Sequence, residues 1–352
     1  MVSNRAIFFF ASTSGKIQMI RNPFLKRLDF DRKHLPWVDK SGFRAELLKK
    51  RHLQEVSDRD AGLLTSWHEH GFLIMPGLIE ESLIDGLLSD YEQAWLERPV
   101  SRILSQGEGI LTLRDSRPRE LLTHHHYRLL DFHNVSEAGA RIMMHPEITR
   151  FFNLVFDDTT VGTQSLLFEY GSEQKAHQDF AYVHAKILSH LAAVWVACED
   201  ADETNGPLFY YPGSHKIPKY DFGFRSLKFK GAGDEAEERF RDYLVSQCSQ
   251  AGLEKTVLKA RKGDVFFWHG ALVHGGSDVI DSAKTRKSFV SHYSSARAYS
   301  RDRRWPDKPP ILTHLNGGIY YQARFEGHKE WLYPLAQDYE GETLSTARGQ
   351  IQ

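Results

Sequence analysis

Apolar and polar positions change their rhythm along this chain. From residue 164 onward, short runs rich in aromatic and β-branched residues recur: Gln164–Tyr170, His190–Cys198, Leu208–Tyr211, Lys255–Lys259, Asp264–Trp268 and Arg286–Tyr293. Asn205-Gly206-Pro207 and Pro212-Gly213-Ser214 punctuate them as turns. Strands this short and this dense predict a mainly β fold, a sandwich or jelly roll with flanking helices packed outside one sheet. Before residue 164 the period is helical. Ser57 is placed to cap a helix over Asp58–His70, and an apolar strand, Phe72–Met75, follows it before Pro76-Gly77 breaks the run. Leu83, Leu87, Leu88, Tyr91 and Trp95 line one face of a predicted helix over Glu80–Trp95. A third helix, Asp234–Ala251, carries the stripe Phe240, Tyr243, Leu244 and Cys248 between two β-runs.

The remainder reads as weakly structured. Residues 1–56 show poor periodicity, and residues 1–60 hold thirteen Lys/Arg against seven Asp/Glu, so an irregular basic N-terminal extension is expected. The Arg-rich stretch up to Arg119 has no clear pattern. The expected organisation is that extension, one domain over 57–335, and a tail over 336–352. Within the domain, a helical flank covers 57–160 and a β-core covers 161–295, with the helical insert at about 234–251.

Composition narrows the class. Across 352 residues, 45 Lys+Arg balance 46 Asp+Glu, and 41% of residues are hydrophobic. A disordered chain is excluded, and no global field draws the protein to nucleic acid or an anionic membrane. Two cysteines, Cys198 and Cys248, cannot build a disulfide framework or a Cys-rich zinc site. No apolar stretch reaches the ~20 residues of a membrane span. Ala6–Ala11 is too short for the apolar region of a signal peptide. The expectation is a soluble, cytoplasmic protein with a small-molecule substrate, no nucleic-acid partner and no membrane partner; the oligomeric state is not legible.

Candidate chemistry begins at His177-Gln178-Asp179. Alone the triplet means little, since 18 histidines supply one such spacing by chance. In an extended segment, however, residues two apart share a face, so an imidazole and a carboxylate can converge on one ion. His274 follows between an aromatic run and two glycines, and Arg286-Lys287-Ser288 comes twelve residues after it. Two His and one carboxylate with open positions are the facial triad of non-haem Fe(II) oxygenases. Arg286 and Ser288, two apart on a strand, offer a planar fork and a hydroxyl to a carboxylate, which suits a dicarboxylate co-substrate. His269 is the alternative distal ligand. His124-His125-His126 cannot all face one ion from a regular element and suit the substrate mouth better. His68-Glu69-His70 reads as a solvated helix end, and His184, His190 and His215 as structural or as supports behind the site residues.

The same stretches resemble a known family. AHQDFAYVH, GPLFYYPGSHK, GDVFFWHGALVHGGS and TRKSFVSHY, with the opening GFLIMPGLIEESLIDGLL, look like the phytanoyl-CoA dioxygenase family of Fe(II)/2-oxoglutarate oxygenases over roughly residues 60–295. The resemblance implies a double-stranded β-helix with iron at one mouth. It assigns His177, Asp179 and His274 as iron ligands and Arg286 to the distal carboxylate of 2-oxoglutarate. Gln178 and Trp195 match family positions that line the co-substrate pocket. The family reaction uses O2 and releases succinate and CO2; Asp179, where related halogenases carry a small residue, favours C–H oxidation over halogenation, with hydroxylation the default outcome and desaturation or ring formation the alternatives. The rival expectation is a cupin-like metal-binding isomerase or binding module, which leaves Arg286-x-Ser288 without a purpose.

Overall fold

Aromatic and β-branched runs pair into two sheets in the computed structural model, which describes residues 27–98, 102–105, 109–114, 119, 127–229, 234–299 and 311–322. The strands are β1 (Phe72–Met75), β2 (Arg102–Ser105), β3 (Gly109–Thr112), β4 (Tyr127–Leu130), β5 (Thr160–Phe168), β6 (Leu191–Ala197) and β7 (Leu208–Tyr210). After them come β8 (Thr256–Val257), β9 (Val265–His269), β10 (His274–Gly276), β11 (Ser288–Ser295), β12 (Ile311–Leu315) and β13 (Gly318–Gln322). The helices are α1 (Phe43–His52), α2 (Asp58–His70), α3 (Glu81–Glu97), α4 (Glu137–Met143), α5 (Pro146–Phe156) and α6 (Asp234–Gln250). A large sheet runs in the order β1-β9-β6-β11-β5-β4-β2-β3, with β13 joining β5 and β12 pairing β13. The small sheet is β10-β7-β8. This is a jelly-roll core, as the strand density predicts, with α1–α5 packed on the large sheet and the α6 stripe Phe240, Leu244 and Cys248 packed with Phe209 of the small sheet. Among the described residues no helix is long and apolar enough to cross a membrane.

Strand alternation divides the labour between the two faces of the large sheet. On the outer face Leu167, Val194, Val196, Phe267, Phe289 and Tyr293 pack with Trp67 of α2, Leu87 and Tyr91 of α3, and Phe151 and Phe152 of α5. The inner face carries Phe168, Trp195, Phe266, Trp268 and Val290, and meets Leu208 and Tyr210 of the small sheet. The candidate site lies on that inner face.

Two expectations need correcting. Residues 27–56 are not an irregular extension: α1 runs through them, with Val38 and Phe43 buried in the main core. Trp37 donates its indole N–H to the Leu154 carbonyl at 2.7 Å. A few apolar anchors separated by exposed basic residues produce this packing without a visible period. The stretch before Arg119 also holds two strands, β2 and β3, that extend the sheet beyond β4. Elsewhere boundaries move by a few residues. α2 begins as expected, with Ser57 Oγ accepting from the Asp60 N–H. His68, read as solvated, stacks on Phe43 at 4.3 Å and its Nδ1 meets the Val38 carbonyl at 2.6 Å.

Candidate metal centre

The two distant histidines meet through the backbone. His177 N–H donates to the His274 carbonyl at 2.9 Å, and His274 N–H donates to the His177 carbonyl at 3.1 Å. Residues directly opposed in such an antiparallel bridge present their side chains on one side, and the imidazole centroids lie 4.3 Å apart. Gln178 is extended (φ −126°, ψ 127°), so Asp179 returns to that side, although it opens a 3-10 turn and does not continue a strand. The ligand atoms of His177, Asp179 and His274 all lie within 4.8 Å of one another, and all three residues are buried.

The hydrogen bonds fix which atoms are free. Nδ1 of His177 faces the Lys175 carbonyl at 2.9 Å, and Nδ1 of His274 faces the Leu272 carbonyl at 3.1 Å. A carbonyl only accepts, so each Nδ1 carries the proton and each Nε2 presents a lone pair. Oδ1 of Asp179 sits 3.4 Å from Nε2 of His177 and 3.6 Å from Nε2 of His274. Burial pushes the His274 imidazole down to about 4, against the pull of Asp179. Burial would raise the Asp179 carboxyl, but the surrounding imidazoles outweigh it and hold it well below the usual carboxylate range. Two imidazole lone pairs and an ionised oxygen converging on one point fit a divalent first-row metal.

The cavity beside these three residues encloses about 60 Å³, several times what one water needs. The same cavity is lined by Arg286, which is buried, 3% exposed, with its guanidinium 5.6 Å from the Trp195 ring and 6.0 Å from the Phe168 ring. Burial pushes it down to about 10, so it stays charged at pH 7. Among the described residues no carboxylate pairs with it; its one hydrogen bond goes to the Tyr170 carbonyl at 3.4 Å. Arg286 Nε, Ser288 Oγ and Trp195 Nε1 are all buried without a hydrogen-bond partner there. Buried donors in this state call for an acceptor-rich guest.

Of the residues singled out from sequence, His177, Asp179, His274, Arg286 and Trp195 line the cavity together. Ser288 lies on the same row of β11 but outside the lining, and Gln178 turns away, because alternation sends its amide to the Ala271 carbonyl. His269 stands apart: its Nδ1 accepts from the Ala271 N–H and its Nε2 meets Asp39 at 3.2 Å. His190 and His215 are structural, bonded to Ser295 Oγ and the His34 carbonyl and to the His68 carbonyl. His124-His125-His126 lie outside the described residues. Four polar lining residues escaped the sequence reading: Ser172, Gln174, Trp268 and His292. Trp268 donates its indole N–H to Asp179 Oδ2 at 2.7 Å, and His292 Nε2 lies 3.5 Å from the same oxygen. Both sit in runs already singled out, but only sheet register shows that they meet.

The chain is similar to known proteins in sequence and fold. The chain is 23% identical to the peroxisomal phytanoyl-CoA dioxygenase of Homo sapiens over 252 residues, covering 67% of this chain and 68% of that one. Among solved structures it resembles the non-heme alpha ketoglutarate dependent carbocyclase SnoK from nogalamycin biosynthesis, with a TM-score of 0.52, 18% identity, and 70% and 87% of the two chains covered. EctD from S. alaskensis with bound Fe aligns at a TM-score of 0.50 with 17% identity, covering 71% and 82%. The phytanoyl-CoA dioxygenase (PhyH) family profile matches residues 67–288, more than half of the sequence, and the chain belongs to that family.

Proposed function

We propose that the protein is an Fe(II)- and 2-oxoglutarate-dependent oxygenase that uses O2 to hydroxylate an unactivated C–H bond of a small-molecule metabolite, releasing succinate and CO2. One observation carries the reading: a three-residue group fit to hold a metal and a buried arginine without a carboxylate partner line one cavity. Fe(II) bound there would supply the redox chemistry that couples oxidation of the co-substrate to oxidation of the substrate.

The protein's part is positional. His177, Asp179 and His274 would hold the metal from one side and leave its other positions to exogenous ligands. Arg286 would neutralise the distal carboxylate of 2-oxoglutarate, since no carboxylate among the described residues is in ion-pair contact with it. Leu166, Leu208 and Val290 give the cavity an apolar wall. The Asp179 carboxylate completes the protein's share of the ligands, which supports hydroxylation over transfer of a bound halide.

The test is anaerobic reconstitution with Fe(II), followed by 2-oxoglutarate and air, with succinate and O2 consumption measured across a metabolite panel. Succinate should require both metal and 2-oxoglutarate and vanish in Asp179→Ala. A productive metabolite should gain one oxygen atom by mass spectrometry. A product with unchanged mass would replace hydroxylation by rearrangement, and failure to bind 2-oxoglutarate would overturn the oxygenase reading.

A further inference from the structure

The two oxygens of Asp179 meet different surroundings. Oδ1 faces the ligand nitrogens of His177 and His274. Oδ2 accepts the Trp268 indole N–H at 2.7 Å and has His292 Nε2 at 3.5 Å. A carboxylate in this state only accepts, so the indole donates its N–H to Oδ2, while the His292 ring faces the same oxygen at ion-pair range.

Both rings come from one transverse row of the large sheet. Phe72 of β1, Trp268 of β9, Ala193 of β6, His292 of β11 and Gln164 of β5 stand in register. Ala193, with a single methyl, separates the two nitrogen-bearing rings. Trp268 is 2% exposed and His292 4%, so neither N–H is diluted by solvent. The indole also lies 5.0 Å from the His274 ring, which places Trp268 against two of the three ligand residues. Among the described residues Asp179 is the one polar partner of the His292 side chain, whose Nδ1 has none. An indole has no lone pair for a metal, so it can orient the carboxylate without competing for the ion.

We propose that Trp268 and His292 form a two-donor seat that restricts Asp179 to one-oxygen ligation, and so set both the metal affinity and the number of coordination positions left open. An unrestrained carboxylate can turn both oxygens to a metal and fill a position that an exogenous ligand needs. With Oδ2 committed to the sheet, only Oδ1 faces the centre. Both are positioning residues. The inference rests on the metal reading above.

The experiment titrates metal-free protein with Co(II), following affinity and the visible Co(II) absorption, in wild type, Trp268→Phe, His292→Leu, His292→Gln and Asp179→Ala. Trp268→Phe keeps a ring in the row but removes the N–H. It should bind Co(II) about ten- to a hundredfold more weakly, the usual effect of losing such an outer partner, with an altered absorption as the second oxygen is freed. His292→Leu should move both readouts the same way, and His292→Gln, which retains an N–H donor, should recover most of the affinity. Thermal unfolding without metal shows which variants fold; should Trp268→Phe fail, the His292 pair decides. Unchanged affinity and absorption in the folded variants would overturn the seat and leave the metal centre standing. Absence of Co(II) binding in wild type, or unchanged binding in Asp179→Ala, would overturn the metal reading itself.

Discussion

A guanidinium buried without a carboxylate in contact is costly, and Arg286 is held by two aromatic faces, one carbonyl and the electrostatic pull of Glu199. A bound dicarboxylate relieves the cost. Truncating one partner of a buried charge pair loses ~2–5 kcal/mol, about tenfold to several thousandfold in affinity. Arg286→Ala should therefore raise the 2-oxoglutarate concentration for half-maximal succinate release by that range, with metal affinity nearly intact. A half-saturation equal to wild type would show that the arginine is not the anchor. Ser288→Ala should act more weakly, because its hydroxyl stands outside the cavity lining. His274→Ala should lose bound metal, whereas His269→Ala should keep it and lose stability instead, since His269 serves Asp39 and the Ala271 N–H. Metal content of the two purified variants separates these outcomes. The residues that were legible before folding are those whose neighbours in sequence define them: a His-x-Asp, a glycine-flanked His, an Arg-x-Ser. Trp268 and His292 were not, because their meeting point is three strands wide. Gln178 was misplaced for a related reason: motif adjacency puts it beside two ligands, while backbone alternation points it to the opposite side.

Elements defined by their own composition were the ones legible in the chain. The buried strands β6 and β9 are continuous apolar runs, and α2 announces its start with a capping serine. α1 hides behind its basic residues, because its value lies in what it covers. The segment around it ties down several elements at once. Trp37 bonds to the end of α5, Asp39 pairs with His269 at the end of β9, and the His34 carbonyl accepts from Ser189 Oγ and meets His190 Nε2. Phe30 lies edge-on to Phe180, the neighbour of Asp179, at 5.0 Å. Removing residues 1–52 should lower the thermal midpoint and loosen metal binding together, since Phe180 and His269 lose their cover. Fully burying each of Val38 and Phe43 contributes about 1.5–3 kcal/mol, so the loss should exceed what any single hydrogen bond explains. Circular dichroism melts of the shortened and full-length chains measure it. An unchanged midpoint would mean that the segment merely rests on the body.

Across the whole molecule, buried imidazoles link stability to acidity. Burial pushes His133, His190 and His274 each down to about 4, against ordinary values near 6.5. They sit at separate joints. His133 meets Ser165 Oγ of β5 at 2.7 Å and the Tyr321 carbonyl of β13 at 2.8 Å. His190 connects Ser295 of β11 to His34, and His274 belongs to the metal centre. Between pH 6.5 and 4 the unfolded chain binds protons at these rings that the folded chain refuses, so stability falls as the pH drops through that window. One such ring is worth about 3 kcal/mol by pH 4, and a domain holds only ~5–15 kcal/mol in total. Metal-free protein should therefore lose most of its urea resistance between pH 6.5 and 4, well above the range where paired surface carboxylates titrate. Bound metal should raise stability at pH 7 and steepen the fall, because a metal-held Nε2 of His274 takes no proton in the folded chain while the unfolded chain takes one. His133→Gln keeps a donor for the Tyr321 carbonyl but has no proton to gain. It should start less stable at pH 7 and decline more gently than wild type, and parallel curves for the two proteins would show that His133 is not among the groups that titrate.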